Sequence, residues 1–157
     1  MRNGDRVAVQ VEKSPEALLL YLACVRAGAI FLPLNTAYTI AELEYFIGDA
    51  EPSLIVCDPA REEGVRAISR VAAVVTLDAA GKGGLTAAAA GQAPETADAQ
   101  RGPDDLAAIL YTSGTTGRSK GAMLSHDNLA SNSLALVDHW RFTRDDVLIH
   151  ALPIFHT

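Results

Sequence analysis

The residues best suited to chemistry lie in the ten-residue segment 112–121, Thr-Ser-Gly-Thr-Thr-Gly-Arg-Ser-Lys-Gly. Five hydroxyl side chains, three glycines and two cations directly follow an apolar run. Glycines let backbone amides approach phosphate oxygens, hydroxyls add short donors, and Lys120 supplies a compact positive charge. No acidic residue occurs from 111 to 125, although the whole chain has a net charge of −6. The segment therefore predicts a binding site for a polyphosphate anion.

Two common nucleotide-binding motifs do not describe this segment. A Walker A loop would need glycine five residues after Gly114 or Gly117, where Ser119 and Ala122 stand. The Gly-x-Gly that begins at Gly81 lacks the third glycine of a dinucleotide fingerprint. A solvated Ser/Gly linker would have a similar composition, but linkers rarely join a buried strand to a helix cap over so few residues.

A serine hydrolase is a third alternative, because residues 117–121 match the Gly-x-Ser-x-Gly of a nucleophile elbow with Ser119 at its centre. Acids and histidines follow in the hydrolase order: Asp138 or Asp145, then His150 or His156. An elbow requires a sharp strand-to-helix turn. Ser119 lies eight residues after the predicted strand at 106–111 and six before the helix cap at Ser125. This context favours a phosphate loop over an elbow.

The rest of the sequence alternates between short apolar runs and capped helical stretches. Ser14-Pro15-Glu16 has the residue order of a helix start, and Thr39 with Glu42 forms a capping box. Gly28 is placed to end the first helix in a left-handed conformation. Strands are predicted at 7–11, 29–34, 53–57, 72–77, 106–111 and 147–152, and helices at 17–27, 39–48, 59–70, 85–90 and 126–140. The alternation predicts an α/β fold with a mainly parallel sheet covered on both faces.

The chain divides into two parts by composition. Residues 1–103 are predicted to form an α/β subdomain, whose Gly-, Ala- and Pro-rich stretch from about 78 is a surface connection. Residues 104–157 carry the strand before the phosphate loop, the loop, a helix and the start of the next element.

Composition narrows the class of protein. The longest apolar run, 17–25, has nine residues, about half the length that spans a bilayer. A polar start and two isolated cysteines, Cys24 and Cys57, favour a cytoplasmic location with both thiols reduced in the core. A pI of about 5.1 without a basic cluster argues against a nucleic-acid partner. His126, His139 and His150 lack metal-ligand spacing, so no metal-ligating residue is predicted.

Residues 111–121 closely resemble the signature phosphate loop of the adenylate-forming superfamily, which includes acyl-CoA synthetases, luciferases and adenylation domains of peptide synthetases. The blocks at 26–35 and 152–156 are similar to other stretches of this superfamily, in the expected order. Residues 35–39, 49–52 and 150–157 look most like malonyl-CoA synthetases. The resemblance extends over the whole chain and implies an early part of the large N-terminal domain.

The resemblance also implies an activity and a set of ligands. Members join a carboxylic acid to ATP and pass the acyl group to coenzyme A, and magnesium is expected to bridge the phosphates. Lys120, Thr116 and His156 are the catalytic residues that it implies, with His156 near the acyl pocket and the α-phosphate. The residues implied to hold the nucleotide are Thr112, Ser113, Gly114, Thr115, Thr116, Gly117, Arg118, Ser119 and Lys120.

Malonate is the favoured acid, and these residues alone are expected to lack turnover, because the later blocks of the superfamily are not among them. Two alternatives stay open: another acyl- or aryl-CoA synthetase, and a non-catalytic module that binds a nucleotide or completes a partner chain.

Overall fold

A computed structural model describes residues 1–69, 72–94, 97–112 and 118–155. Its strands are β1 (Arg6–Gln10), β2 (Ile30–Pro33), β3 (Leu54–Cys57), β4 (Ala73–Thr76), β5 (Leu106–Thr112) and β6 (Lys120–Ser125). Its helices are α1 (Pro15–Arg26), α2 (Ile40–Ala50), α3 (Glu62–Ile68), α4 (Gly84–Ala90) and α5 (His126–Trp140), and a short 3₁₀ turn (Pro59–Arg61) precedes α3.

The strands form one sheet in the order β4-β3-β1-β2-β5-β6. The pairings among the first five strands are parallel, and only β6 runs antiparallel to its neighbour β5. The prediction of an α/β fold with a mainly parallel sheet is confirmed. The carboxyl end of β5 leads into residue 113, so the glycine-rich segment starts at the edge where parallel sheets bind ligands.

The helix ends follow the chemistry of their capping residues. Ser14 Oγ accepts the Ala17 amide at 3.1 Å, and the Thr39–Glu42 capping box is present. After α1, Gly28 has a φ of +69°, a conformation that favours glycine, while its amide donates to the Val25 carbonyl. The predicted caps at the starts of α1 and α2 and at the end of α1 are therefore confirmed.

Two apolar clusters lie on opposite faces of the sheet. One cluster joins β1 and β2 residues such as Ala8 and Leu32 to the α2 residues Leu43 and Phe46. The other is built around α1 and the alternate β1 residues. Its β1 and α1 members are Val7, Val9, Ala17, Leu20 and Cys24. Because side chains alternate along a strand, β1 contributes to both clusters, as a sheet covered on both faces requires.

Two predictions about elements were wrong. Residues 147–152 do not form a strand: Val147 and Ile149 are 89% and 85% exposed, and no neighbouring strand pairs with this segment in the described part of the chain. Conversely, β6 was missed, because its sequence Lys-Gly-Ala-Met-Leu-Ser lacks the β-branched residues typical of strands. Its pairing with β5 decides its conformation.

The segment between β4 and β5 runs over the surface and carries the short helix α4. It is attached to the end of α1, because the Ala99 amide donates to the Arg26 carbonyl at 2.8 Å.

The division of the chain into 1–103 and 104–157 stays a prediction. In the structure, β5 of the second part joins the same sheet as the strands of the first part. Within the described ranges, no helix has both the length and the apolar character needed to cross a membrane.

Candidate functional site

The candidate site lies where β5 and β6 meet. Thr112, the last residue of β5, pairs across the strands with Lys120, the first residue of β6. Tyr111 pairs with Gly121 one position further along. Of the predicted nucleotide-binding residues, the structure therefore brings Thr112, Arg118, Ser119 and Lys120 together. Ser113, Gly114, Thr115, Thr116, Gly117 and His156 lie outside the described residues.

The ammonium group of Lys120, at the start of β6, is available to bind an anion. Lys120 is exposed, and none of the described carboxylates forms an ion pair with it. The Thr112 side chain is exposed as well. A hydroxyl donor and an ammonium group thus stand on paired residues, which suits the recognition of phosphate oxygens.

Gly121 allows the two strands to approach closely here. A Cβ atom on Gly121 would lie 2.8 Å from Ile109 Cγ2, which is closer than real contacts allow. Ile is stiff about χ1, so its methyl group cannot move aside easily. The third glycine of the segment is required for space rather than for a left-handed backbone.

Helix α2 contacts both ends of the segment. Tyr45 Oη donates a hydrogen bond to the Ser119 carbonyl at 2.8 Å, and Tyr111 Oη donates to Asp49 Oδ2 at 2.5 Å. The guanidinium of Arg118 lies 5.9 Å from the centre of the Tyr45 ring, within cation–π range. Burial, followed by the hydrogen bond to Asp49, raises the pKa of the Tyr111 phenol, so the phenol keeps the proton that it donates to Asp49 even where an exposed tyrosine would ionise.

A second group of contacts involves the segment that precedes His156. Lys13 Nζ donates to the carbonyls of His150, Ala151 and Leu152 at 2.5, 3.0 and 3.3 Å. Ile154 packs against the apolar cluster around α1. These contacts hold residues 150–154 against Lys13 and the α1 cluster. These residues precede His156, which was predicted to lie near the acyl pocket.

The sequence did not predict three residues of this region: Lys13, Tyr45 and Asp49. Tyr45 and Asp49 are four residues apart on α2 and therefore share one helix face. That spacing was visible, but nothing in the sequence indicated that the face meets β5 and β6. Lys13 carried no signal beyond its charge.

Two further observations concern alternatives. Ser119 is followed by the strand β6 rather than by a helix, so the strand-to-helix turn of a nucleophile elbow is not formed there. Among the described residues, no three His, Cys, Asp or Glu side chains gather closely enough to hold a metal ion.

A sequence model of one protein family, the AMP-binding enzymes, matches residues 1–157. The chain belongs to the AMP-binding enzyme family. The resemblance found in the glycine-rich segment is therefore confirmed for the whole chain.

Several ligases and solved structures are similar to the chain over nearly all its residues. MatB from Rhodopseudomonas palustris, solved in apo and ATP-bound forms, is 68% identical with a TM-score of 0.96; the match covers 99% of this chain and 31% of MatB. The probable CoA ligase CCL9 of Humulus lupulus is 32% identical over 98% of this chain and 31% of its own length. The mitochondrial malonate–CoA ligase ACSF3 of Mus musculus is 34% identical over 97% of this chain and 26% of its own. The chain thus spans about a third or less of the length of these family members.

Proposed function

We propose that these residues belong to an AMP-forming carboxylate–CoA ligase that uses ATP, coenzyme A and, by preference, malonate. The observation that carries this proposal is that Thr112 lies opposite Lys120 in the β5–β6 register, where Lys120 is exposed and forms no ion pair with the described carboxylates. The CoA ligases among the family members support the reaction class.

The reaction has two steps. A carboxylate oxygen of the acid attacks the α-phosphorus of ATP. The bond between the α-phosphorus and the oxygen that bridges it to the β-phosphorus breaks, and pyrophosphate leaves. The thiol of coenzyme A, on losing its proton, then attacks the carbonyl carbon of the acyl-adenylate and releases AMP. The first step turns a poor electrophile into a mixed anhydride with a good leaving group.

The described residues act on the leaving group. Negative charge grows on the pyrophosphate as the bond breaks, and the ammonium of Lys120 stabilises that charge. The Thr112 hydroxyl donates to a phosphate oxygen and helps to orient the chain of phosphates. Both contributions are electrostatic and positional, as phosphoryl chemistry demands.

We propose that magnesium enters the site bound to ATP and is not held by the described residues alone. The described side chains within the segment itself offer hydroxyls and cations but no carboxylate, whereas protein-held magnesium prefers carboxylates. The ion therefore fits the complex that ATP brings into the site, where it would neutralise phosphate charge.

The choice of malonate rests on two supports. Residues 35–39, 49–52 and 150–157 resemble malonyl-CoA synthetases, and a malonate–CoA ligase is among the similar family members. A panel of acids tests this choice: malonate, oxalate, ferulate, coumarate and indoleacetate, assayed by pyrophosphate release. A higher kcat/KM for any acid other than malonate would contradict it.

The reaction class is tested in a full-length polypeptide in which these 157 residues replace the matching 31% of MatB. Lys120→Ala is expected to lower malonate-dependent ATP–pyrophosphate exchange by roughly 10²- to 10³-fold, the usual effect of removing one preorganised stabilising group. Lys82→Ala is the matched control, because Lys82 is also exposed but lies outside the glycine-rich segment.

An exchange rate that Lys120→Ala leaves equal to that of Lys82→Ala would remove the segment from the mechanism. Saturable ATP binding without any acid-dependent exchange in the unsubstituted polypeptide would instead indicate a non-catalytic nucleotide-binding module.

A further inference from the structure

The glycine-rich segment has two described ends, and both touch one helix. At the first end, Tyr111 directly precedes Thr112, and its hydroxyl donates to Asp49 Oδ2 at 2.5 Å. At the second end, Ser119 directly precedes Lys120, and its carbonyl accepts the Tyr45 hydroxyl at 2.8 Å. The first hydrogen bond therefore acts one residue before Thr112, and the second acts on Ser119, directly before Lys120; all three are predicted nucleotide-binding residues.

The core holds in place the α2 residues that supply the donor, Tyr45, and the acceptor, Asp49. Phe46, between Tyr45 and Asp49 in the sequence, is 3% exposed, and its ring centre lies 4.6 Å from that of Tyr111. The rings of Tyr45 and Tyr111 are 6.4 Å apart, in an edge-on arrangement. The capping box at Thr39 fixes the other end of the helix. α2 therefore presents a rigid aromatic face to β5 and β6.

The hairpin of β5 and β6 needs such a support. Among the described residues, β6 is the last strand of the sheet and pairs with β5 alone. Four of its six residues are exposed. An edge strand can twist relative to the rest of a sheet, since no second neighbour fixes it. α2 contacts both strands of the hairpin at its loop end, through Tyr111 at the end of β5 and through Ser119 directly before β6, and these contacts oppose that motion.

We infer that Tyr45 and Asp49 are positioning residues that hold the two ends of the glycine-rich segment at a fixed place relative to the parallel sheet. The inference rests on the proposed function for its catalytic consequence, but not for the hydrogen bonds themselves. Neither residue touches the reacting atoms in this account. Tyr45 acts through the backbone of Ser119, and Asp49 acts through Tyr111.

A preorganised loop binds and orients phosphates without first having to be ordered. Loosening one end therefore raises the KM for ATP or lowers kcat, while the KM for coenzyme A stays the same. A purely structural role would instead lower the melting temperature and leave this pattern of kinetic constants unchanged.

The test uses the same full-length polypeptide with MatB. Tyr45→Phe keeps the ring and its packing and removes only the hydroxyl. Tyr38→Phe is the matched control: the Tyr38 ring also packs on Phe46, at 4.7 Å, but its hydroxyl makes no hydrogen bond to the described residues. Hydrogen–deuterium exchange of peptides spanning 112–121 and kcat/KM for ATP are measured for each variant.

Tyr45→Phe is expected to speed amide exchange in the 112–121 peptides by about threefold to tenfold, the usual range for one lost hydrogen bond. Exchange in β1 and α1 and the melting temperature should match those of Tyr38→Phe. kcat/KM for ATP should fall by a similar factor. For the other end, Asp49→Ala should have the same effects, and Asp49→Asn should restore most of the loss because its amide oxygen still accepts from Tyr111.

The outcomes separate the two proposals. If exchange and kcat/KM for ATP in Tyr45→Phe equal those of Tyr38→Phe, the positioning role is wrong, whatever the enzyme does. If the unsubstituted polypeptide has no acid-dependent turnover but exchange in 112–121 still accelerates in Tyr45→Phe, the proposed function fails and the positioning role stands.

Discussion

At the scale of single residues, burial sets the chemistry of the two cysteines. Cys24 and Cys57 are both free and lie in opposite apolar clusters. Loss of hydration disfavours the charged thiolate, and burial raises the pKa of Cys24 to about 12 and that of Cys57 to about 11 from an ordinary value of 9.0. The prediction that both lie in the core without forming a disulfide is confirmed, and their reduced state stays a prediction.

These pKa values predict slow alkylation in the folded chain. At pH 8 an ordinary thiol is about one-tenth ionised, whereas Cys57 and Cys24 would be ionised in roughly one molecule in 10³ and 10⁴. Iodoacetamide labelling, followed by mass spectrometry of the two peptides, should therefore be at least about 100-fold slower than in guanidinium chloride. Equal rates in the folded and unfolded chains would contradict the burial of these thiols.

The pH dependence of stability follows from the same shifts. Both pKa values are raised in the folded state, so the unfolded chain loses its thiol protons first as the pH increases. The contribution of the neutral thiols to stability is complete below about pH 9 and is lost as the pH rises through 11 and 12. The urea concentration at which half of the chains are unfolded should therefore decrease as the pH is raised above 9. This decrease should be smaller in a variant that carries both Cys24→Ala and Cys57→Ala.

At the scale of elements, the sequence predicted what local chemistry decides. The Ser14 and Thr39 caps and the turn at Gly28 depend on residues within a few positions of one another, so their patterns were sufficient. The five parallel strands are rich in β-branched and apolar residues, and the phosphate segment has a distinctive composition.

Long-range pairing decided what the sequence did not reveal. β6 is a strand because β5 supplies its hydrogen-bonding partner, while 147–152 has a strand-like composition but no partner in the described chain. The contacts of Tyr45 with Ser119 and of Asp49 with Tyr111 join residues 74 and 62 positions apart. No local sequence pattern predicts contacts between residues so far apart in the chain.

The segment at 147–155 gives a prediction at this scale. Lys13 donates to three consecutive carbonyls, which pair with no strand in the described part of the chain, so it replaces part of the hydrogen bonding that a sheet would supply. Lys13→Met keeps an unbranched side chain and removes these donors. Amide exchange in peptides spanning 147–155 should accelerate about threefold to tenfold, with exchange in β1 unchanged.

Lys82→Met is the control for this substitution, because Lys82 is an exposed lysine elsewhere on the surface. Equal exchange in 147–155 for the two variants would show that the contacts of Lys13 with the three carbonyls do not hold this segment.

At the scale of the whole molecule, burial is unevenly distributed along the chain. The core residues lie between Val7 and Ala108, whereas the 15-residue helix α5 has no buried residue. Helices of this length are marginal in water unless one face is packed. Exposed apolar side chains continue after α5, at Phe142, Val147 and Ile149. Such a surface is typical of an interface.

We expect the remaining length of a full-size family member to cover this surface, because the chain matches only 31% of MatB. Trp140, the single tryptophan of these residues, lies on this surface and is 66% exposed. Its fluorescence therefore shows whether the α5 surface is covered. In the 157-residue chain alone, its emission should resemble that of tryptophan in water and be strongly quenched by acrylamide. In the polypeptide with MatB, the signal of Trp140, obtained by subtracting a Trp140→Phe variant, should be blue-shifted and several-fold less quenched. Equal quenching in both would mean that the α5 surface stays open to solvent and serves a separate partner.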